Sequence, residues 1–433
     1  MLCRKCTGGG NIMKKRLLTF IMSMAITVSL AGCGNDVIVD VVTNDVSAAD
    51  TLEEGDTGAE NVSGEDAQND GTGDDSSSVP DVNPAGMKTI AAQDLKIGVL
   101  YIGGASDTSG YTYAHELGIQ GMISNIGLDD SQVMRMEYID DGDEAAITEA
   151  LDECVEAGCN VIFTTSWGYM DKTAEYAEKY PDIYFSHGTG YKSNGKNMTN
   201  YFGRIYQARY LSGIVAGLKT ESNKIGYVSA MGSENSECTG GIDAFAMGIE
   251  SVNPNAKVLV AVTNSWYSPE DEEAASRALI AAGCDVLAQH VDTTAPQTVS
   301  EENGTWSIGY NSDMSKETPN ATLTSVVWNW SAYYTSYINS IVNATYDGSN
   351  YYGGMDESLV GLTNISSLCD AETAGLVSEA QQKILKGEFG VFDGELETNT
   401  GEIVGEAGKT LDDATITGGI NWYYHNVEVL NWK

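Results

Sequence analysis

Positive charge is scarce in this chain: 23 Lys and Arg stand against 62 Asp and Glu in 433 residues, a formal net charge of −39. Such an acidic excess argues against nucleic acid or an anionic membrane surface as a partner. Long apolar runs are lacking as well. The run Leu17 to Leu30 has 14 residues, short of the roughly 20 that a spanning helix needs. Cysteine is sparse and irregular. Beyond Cys33 only Cys154, Cys159, Cys238, Cys284 and Cys369 remain, an odd and scattered set that makes no disulfide framework. These read as small buried residues, with Cys154 and Cys159 close enough to pair. Cys3 and Cys6 have no matching second pair for a metal. P-loop, nucleophile elbow and metal-spaced Asp cluster are all missing, which argues against an enzyme using Asp107 or Asp292 as a base. No catalytic residue, metal or cofactor is expected. A DNA-binding regulator would need a basic helix-turn-helix ahead of residue 96, where the chain is acidic instead.

What is present begins at the N-terminus. Lys14-Lys15-Arg16, the apolar run and Leu30-Ala31-Gly32-Cys33 have the order of a secretory signal peptide, residues 1–32, with Met13 as the expected start. Cys33 behind the small pair is the expected lipidation site. Two or three acyl chains there would hold the protein on the outer face of the cytoplasmic membrane. From Gly34 to Gly86 there are 14 Asp and Glu and no Lys or Arg. Residues 33–93 therefore read as the lipidated Cys and an acidic, disordered tether, too poor in apolar area to offset its ordering entropy.

The body from residue 94 alternates strand and helix patterns. Lys96-Ile97-Gly98-Val99-Leu100 reads as a buried strand, with strands also at 133–139, 159–165 and 183–187. Helical patterns over about 113–124, 144–157 and 170–179 separate them, so a parallel sheet covered on both faces is predicted. The pattern then restarts. Lys224-Ile225-Gly226 repeats Lys96-Ile97-Gly98, and Ala282-Gly283-Cys284 repeats Ala157-Gly158-Cys159, at separations of 59 and 62 residues. A duplicated α/β lobe follows, with a ligand cleft beyond the carboxyl ends of the strands.

Three loops at predicted strand ends carry aromatics and carboxylates: Asp107 to His115, Thr165 to Asp171 and Asn264 to Pro269. Tyr111 and His115, four apart, share a helix face. Near the third loop fall Gln289 to Pro296 and Tyr310 to Met314. A Trp and a Tyr from opposite lobes can sandwich a flat ring, with carboxylates and a His holding ring N–H groups or sugar hydroxyls. The aromatics of Trp328-Asn329-Trp330 and Tyr333-Tyr334 are expected at the hinge.

Further segments are specific: Gly110-Tyr111-Thr112-Tyr113-Ala114-His115, Phe185 to Lys192, Tyr206 to Gly217, Gln289 to Pro296, and Val391-Phe392-Asp393-Gly394 with Asn421-Trp422-Tyr423. Through them the chain resembles the basic membrane protein (BMP) family of solute-binding lipoproteins, which includes purine nucleoside receptors of ABC transporters. The resemblance implies a type I periplasmic-binding fold, two doubly wound α/β lobes joined by a hinge of three crossings. The first lobe would hold 94–205 and about 328–368, the second 206–327 and about 369–433. It also implies a purine stacked between Tyr111 and Trp266. Polar contacts would come from Asp107, His115 and the Trp167-Gly168-Tyr169 loop on one side, and from Asp292 and Asp313 on the other. The family's nucleoside receptors usually have Phe and Asn where Tyr111 and His115 stand, and an Asp near Asn311, so a free base and a nucleoside both stay open. The implied partners are a small purine ligand, an ABC permease and the membrane through the lipid anchor, with a monomeric receptor; the alternatives are a membrane-anchored sensor of the same solute without transport and a type I binding protein for another small solute such as a sugar.

Overall fold

The computed structural model describes residues 79–433, so the expected signal peptide, Cys33 and most of the tether lie outside the described residues. Residues 83–93, expected as tether, are docked on the body instead. Met87 is buried, Asn83 donates to the Tyr184 hydroxyl at 2.6 Å, and that hydroxyl donates to the Lys88 carbonyl at 2.9 Å. The carboxylate run ends at Asp81, and Met87 beyond it has apolar area to bury.

In chain order the first lobe opens with β1 (Ile97–Leu100), α1 (Gly110–Ile126), β2 (Val133–Met136), α2 (Glu144–Glu156), β3 (Val161–Thr164), α3 (Met170–Lys179), β4 (Tyr184–Gly188) and β5 (Met198–Gly203). The chain then crosses into α4 (Ile205–Lys219), β6 (Lys224–Ser229), α5 (Ser236–Glu250), β7 (Lys257–Val262), α6 (Pro269–Ala281), β8 (Val286–His290), α7 (Ala295–Asn303), β9 (Trp306–Asn311) and β10 (Thr322–Trp328). It returns to the first lobe for α8 (Trp330–Val342) and β11 (Tyr351–Gly353). The second lobe is completed by β12 (Val360–Leu362), α9 (Thr373–Leu385), the hairpin β13 (Asp393–Glu397) and β14 (Ile403–Thr410), α10 (Asp413–Gly418) and β15 (Val427–Val429).

The first sheet has the order β11-β5-β4-β3-β1-β2 and is parallel throughout. The second has the order β12-β10-β9-β8-β6-β7-β15, parallel except for its edge strand β12. Because β12 pairs with β10, the last crossing falls between Gly353 and Val360, ahead of the expected position near 368.

The repeated sequence landmarks have a common mechanical origin. Ile97 pairs with Val161 and Ile225 with Val286, the same register in both copies. Lys96 donates from Nζ to the carbonyl of Ala157, and Lys224 does so to Ala282 at 2.9 Å, satisfying the ends of α2 and α6. Gly158 and Gly283 then leave those helices with φ of 84° and 96°, the left-handed exit that favours glycine. In the strands, Gly98 and Gly226 let the covering helix ride close: a methyl group would meet Cys154 Sγ at 2.7 Å and Leu279 Cβ at 3.1 Å respectively.

The three crossings meet at Gly203. A Cβ there would come within 2.8 Å of the Gly353 carbonyl and 3.1 Å of the Trp328 ring, and would also collide with Leu359. Arg204 N–H donates to the Gly353 carbonyl and Asn329 N–H to that of Leu359, both at 2.7 Å. The aromatics of this region do pack at the hinge. Trp328 and Trp330 are stacked, 4.5 Å apart and 10° from parallel.

Candidate functional site

Between the carboxyl ends of the two sheets lies a cavity of about 1260 Å³. Tyr111 reaches it from the first turn of α1, and Trp167 from the loop after β3. From the second lobe come Glu237 on the first turn of α5, Trp266 after β7, Asp292 after β8 and Tyr310 at the end of β9. The lobes come into close contact where α1 begins. Gly110, at φ 85°, sits so near the Asp292 carbonyl that a Cβ would lie 2.7 Å from it.

Tyr111 is half-buried and donates its hydroxyl proton to the Thr165 carbonyl. Burial raises its pKa well above the ordinary phenol value, so it is a neutral donor and an apolar face. Its ring meets His115 edge-on at 4.5 Å. His115 in turn stacks on Trp330, 4.6 Å away and 12° from parallel. A column of rings thus runs from the hinge to the cavity wall.

Across the cavity, Trp266 meets His290 edge-on at 5.7 Å and has its other side in the apolar cluster of Val228, Leu279 and Val291. Asp292 accepts a 2.8 Å hydrogen bond from Asn311 Nδ2. Burial pushes its pKa up to about 7, and the carboxylates of Glu272 and Glu237 add to the rise. Glu237 is pushed up to about 7 as well, by burial against the opposing pull of Arg209. Arg209 is fully buried on α4, its guanidinium 4.2 Å from the Tyr310 ring centre and donating to the Gln289 carbonyl at 2.6 Å. It stands behind the wall. Five carboxylates, Asp140, Asp141, Glu234, Glu237 and Asp292, line the cavity, and no Lys or Arg does among the described residues. The site is therefore suited to a neutral or cationic ligand that donates hydrogen bonds.

Of the residues singled out from the sequence, Tyr111, Trp167, Trp266 and Asp292 stand around this one cavity. Trp167 is 56% exposed at the rim, 5.8 Å from the Tyr191 ring. The others have different work. His115 lies behind Tyr111, with Nδ1 2.6 Å from the Tyr334 hydroxyl, and burial lowers its pKa to about 3. Gly168 packs on the backbone of Asp141, where any side chain would collide, and donates its N–H to that carboxylate at 3.3 Å. Tyr169 is buried and donates to the Ile139 carbonyl at 2.7 Å. Asp107 accepts the Gly104 N–H at 3.0 Å and borders a neighbouring cavity of about 1130 Å³. Asp313 is exposed, accepts the Ser315 N–H at 2.9 Å and does not line the cavity. Glu237, Asp140, Asp141 and Tyr138 went unnoticed in the sequence. For Glu237 a signal existed: it opens the helix after β6, the counterpart in the second copy of Tyr111 after β1.

Among the described residues no group of three or more His, Cys, Asp or Glu could hold a metal ion, and no helix is long and apolar enough to cross a membrane. The cysteines described are free thiols, all buried but Cys369.

A sequence model of the Bmp family, described as ABC transporter substrate-binding protein PnrA-like, matches residues 95–390. A purine-binding protein of Brucella abortus is 35% identical over 78% of this chain and 94% of its own length. A putative ABC transporter glucose-binding protein of Haloferax volcanii is 33% identical over 66% of this chain and 71% of its own. Among solved structures, an ABC transporter solute-binding protein from Conexibacter woesei covers 68% of this chain and 98% of its own, with a TM-score of 0.57 and 17% identity. That last likeness shows the fold alone, the type I periplasmic-binding architecture.

Proposed function

We propose a ligand and a mode of capture on one premise: the chain belongs to the Bmp family of ABC transporter substrate-binding proteins. The family is one of extracytoplasmic solute-binding proteins rather than enzymes, and it implies a small-molecule ligand and a permease partner. On that footing the protein is a lipoprotein, anchored through Cys33, that captures a purine base or nucleoside and delivers it to the permease. The observation that carries this reading is the facing of Tyr111 and Trp266 from opposite lobes across one cavity, with Asp292 in its wall. A flat heterocycle between the two rings gains about 0.5–1.5 kcal/mol per aromatic contact beyond burial. Its N–H groups would be accepted by buried carboxylates. Closure about Gly203 would bring the faces together.

The Haloferax relative, named for glucose, favours a second reading in which a sugar's hydroxyls meet the carboxylates and its ring lies on Trp266. A thermal-shift series separates the two. At about 100 times Kd a ligand adds roughly 2.7 kcal/mol of stability. The proposal expects this rise with adenine or adenosine and none with glucose; a rise with glucose alone overturns it. The comparison of adenine with adenosine decides whether the cavity uses a ribose.

A further inference from the structure

The opening turn of α1 offers the cavity a phenol, and that of α5, its counterpart, offers the carboxylate of Glu237. This side chain is 25% exposed, and its Oε1 lies 3.5 Å from Nε2 of the fully buried His290. That nitrogen has no hydrogen-bond partner, while Nδ1 of the same ring is 3.4 Å from the Tyr227 hydroxyl. With the phenol donating to Nδ1, the ring proton sits on Nε2 and faces Glu237. Burial and the nearby Arg209 lower the pKa of His290 far below its ordinary value, so the ring is a neutral orienting group. Of the four other carboxylates that line the cavity, Asp140, Asp141, Glu234 and Asp292, it is Asp292 that feels the charge of Glu237, and Arg209 stands behind. The phenols within electrostatic reach of Glu237 are Tyr111, Tyr227, Tyr310 and Tyr352.

An ionised carboxylate presents two acceptors side by side. The 2-amino-6-oxo edge of guanine presents two adjacent donors, N1–H and the amino group. The edge of adenine presents one donor, the 6-amino group, beside one acceptor, N1. We infer that Glu237 determines which purine edge the cleft admits, favouring the two-donor edge of a 2-amino-6-oxopurine over the donor–acceptor edge of a 6-aminopurine. The inference rests on the purine reading above and deepens it. A protonated carboxyl is itself a donor beside an acceptor and suits adenine instead. Since Glu237 is pushed up to about 7 by burial, both forms are present near neutral pH, and the guanine preference weakens as the pH falls through it. As the pH rises through this range, guanine binds more tightly and adenine less.

The test is competitive displacement of a fluorescent purine by adenine and guanine at pH 6 and pH 8, on wild type and on Glu237→Gln. Glutamine fixes the donor–acceptor pattern at every pH. Wild type is expected to prefer guanine by about tenfold at pH 8, the effect of one buried hydrogen bond left unmade, with a ratio several-fold smaller at pH 6. Glu237→Gln should lose the guanine preference and its pH dependence together. A variant that keeps both would move the discrimination to Asp292 and overturn the inference. So would a wild-type ratio that is constant between pH 6 and 8, or one that favours adenine at pH 8; this arm stands even if the variant fails to fold. Failure of the purine reading looks different: neither base displaces the probe, while glucose raises the melting temperature.

Discussion

The two lobes share one plan and differ in what they place at matching points of it. Behind Tyr111 the first lobe is neutral and aromatic, with His115, Trp330, Tyr201 and Tyr334 packed ring against ring. In the second lobe the groups buried around the cavity wall are Arg209, His290, Asp292 and Glu272. The backbone corners differ in the same spirit. Thr189 and Asn311 stand five residues past the paired residues Tyr184 and Trp306, and both are left-handed, at φ 66° and 67°. Tyr138 and Asn264, each two residues past the end of β2 and β7, are at 57° and 61°. Asparagine adopts this conformation at little cost, whereas a β-branched or bulky residue does so under strain. Duplication fixed the geometry of the cleft. Divergence then backed the ring of one half with further rings and gave it the strained rim, and put buried charge around the ring of the other.

The largest expected effects fall on the charged half. Asp292→Ala should weaken purine binding by about 2–3 kcal/mol, because it removes a charged acceptor from a buried wall; calorimetric titration reads it. The same residue gives a pH signature. Its folded pKa, about 7, lies above the ordinary value of 3.8. Its contribution to stability is therefore complete below about pH 4 and is lost as the pH rises through 7. Asp292→Asn, ligand-free, should accordingly melt above wild type at pH 8, with the gap closing towards pH 4. An unchanging gap would mean that Asp292 ionises in the folded protein as it does in the unfolded chain.

The two stacking rings, one from each half, come next. Tyr111→Ala and Trp266→Ala should each cost about 1–3 kcal/mol of binding without unfolding the protein. Unchanged affinity in both would remove stacking from the account. Thr189→Asn should stabilise the ligand-free protein by about 1 kcal/mol by relieving the left-handed corner, seen as a higher melting temperature. Loss of stability there would show that Thr189 is not strained. Smallest of all is Asp313→Ala, expected within about 0.5 kcal/mol of wild type for a surface change; a larger loss of affinity would put Asp313 in the site after all.

The repeat was legible because its landmarks perform a mechanical task twice: a lysine caps a helix, a glycine ends it and another admits it. Periodicity carried the first four strands and three helices of the first copy, and the repeated landmarks carried the plan to the second. It did not carry the returning segments, where β11 and β12 have three residues each, too few for a pattern, and where tertiary pairing alone assigns the lobe. In the site, Tyr111 and Trp266 were visible because bulky rings stood in polar loops behind apolar strands. Spacing misled at His115, since the face it shares with Tyr111 continues inward to Trp330. Asp107 and Asp313 look like ligand carboxylates in sequence, but each accepts a hydrogen bond from its own loop, at Gly104 and Ser315, and neither lines the cavity between the lobes. Glu237 was hidden directly behind a polar turn, Gly232 to Asn235, and emerges only when one copy is laid on the other.

Calorimetric titration of ligand-stripped wild type and the Tyr111→Ala/Trp266→Ala double variant, with adenine, guanine and glucose, tests the central claim most directly. Heat from a purine that saturates at one site in wild type and is greatly weakened in the double variant is the predicted result. Heat from glucose, with none from either purine, would contradict it.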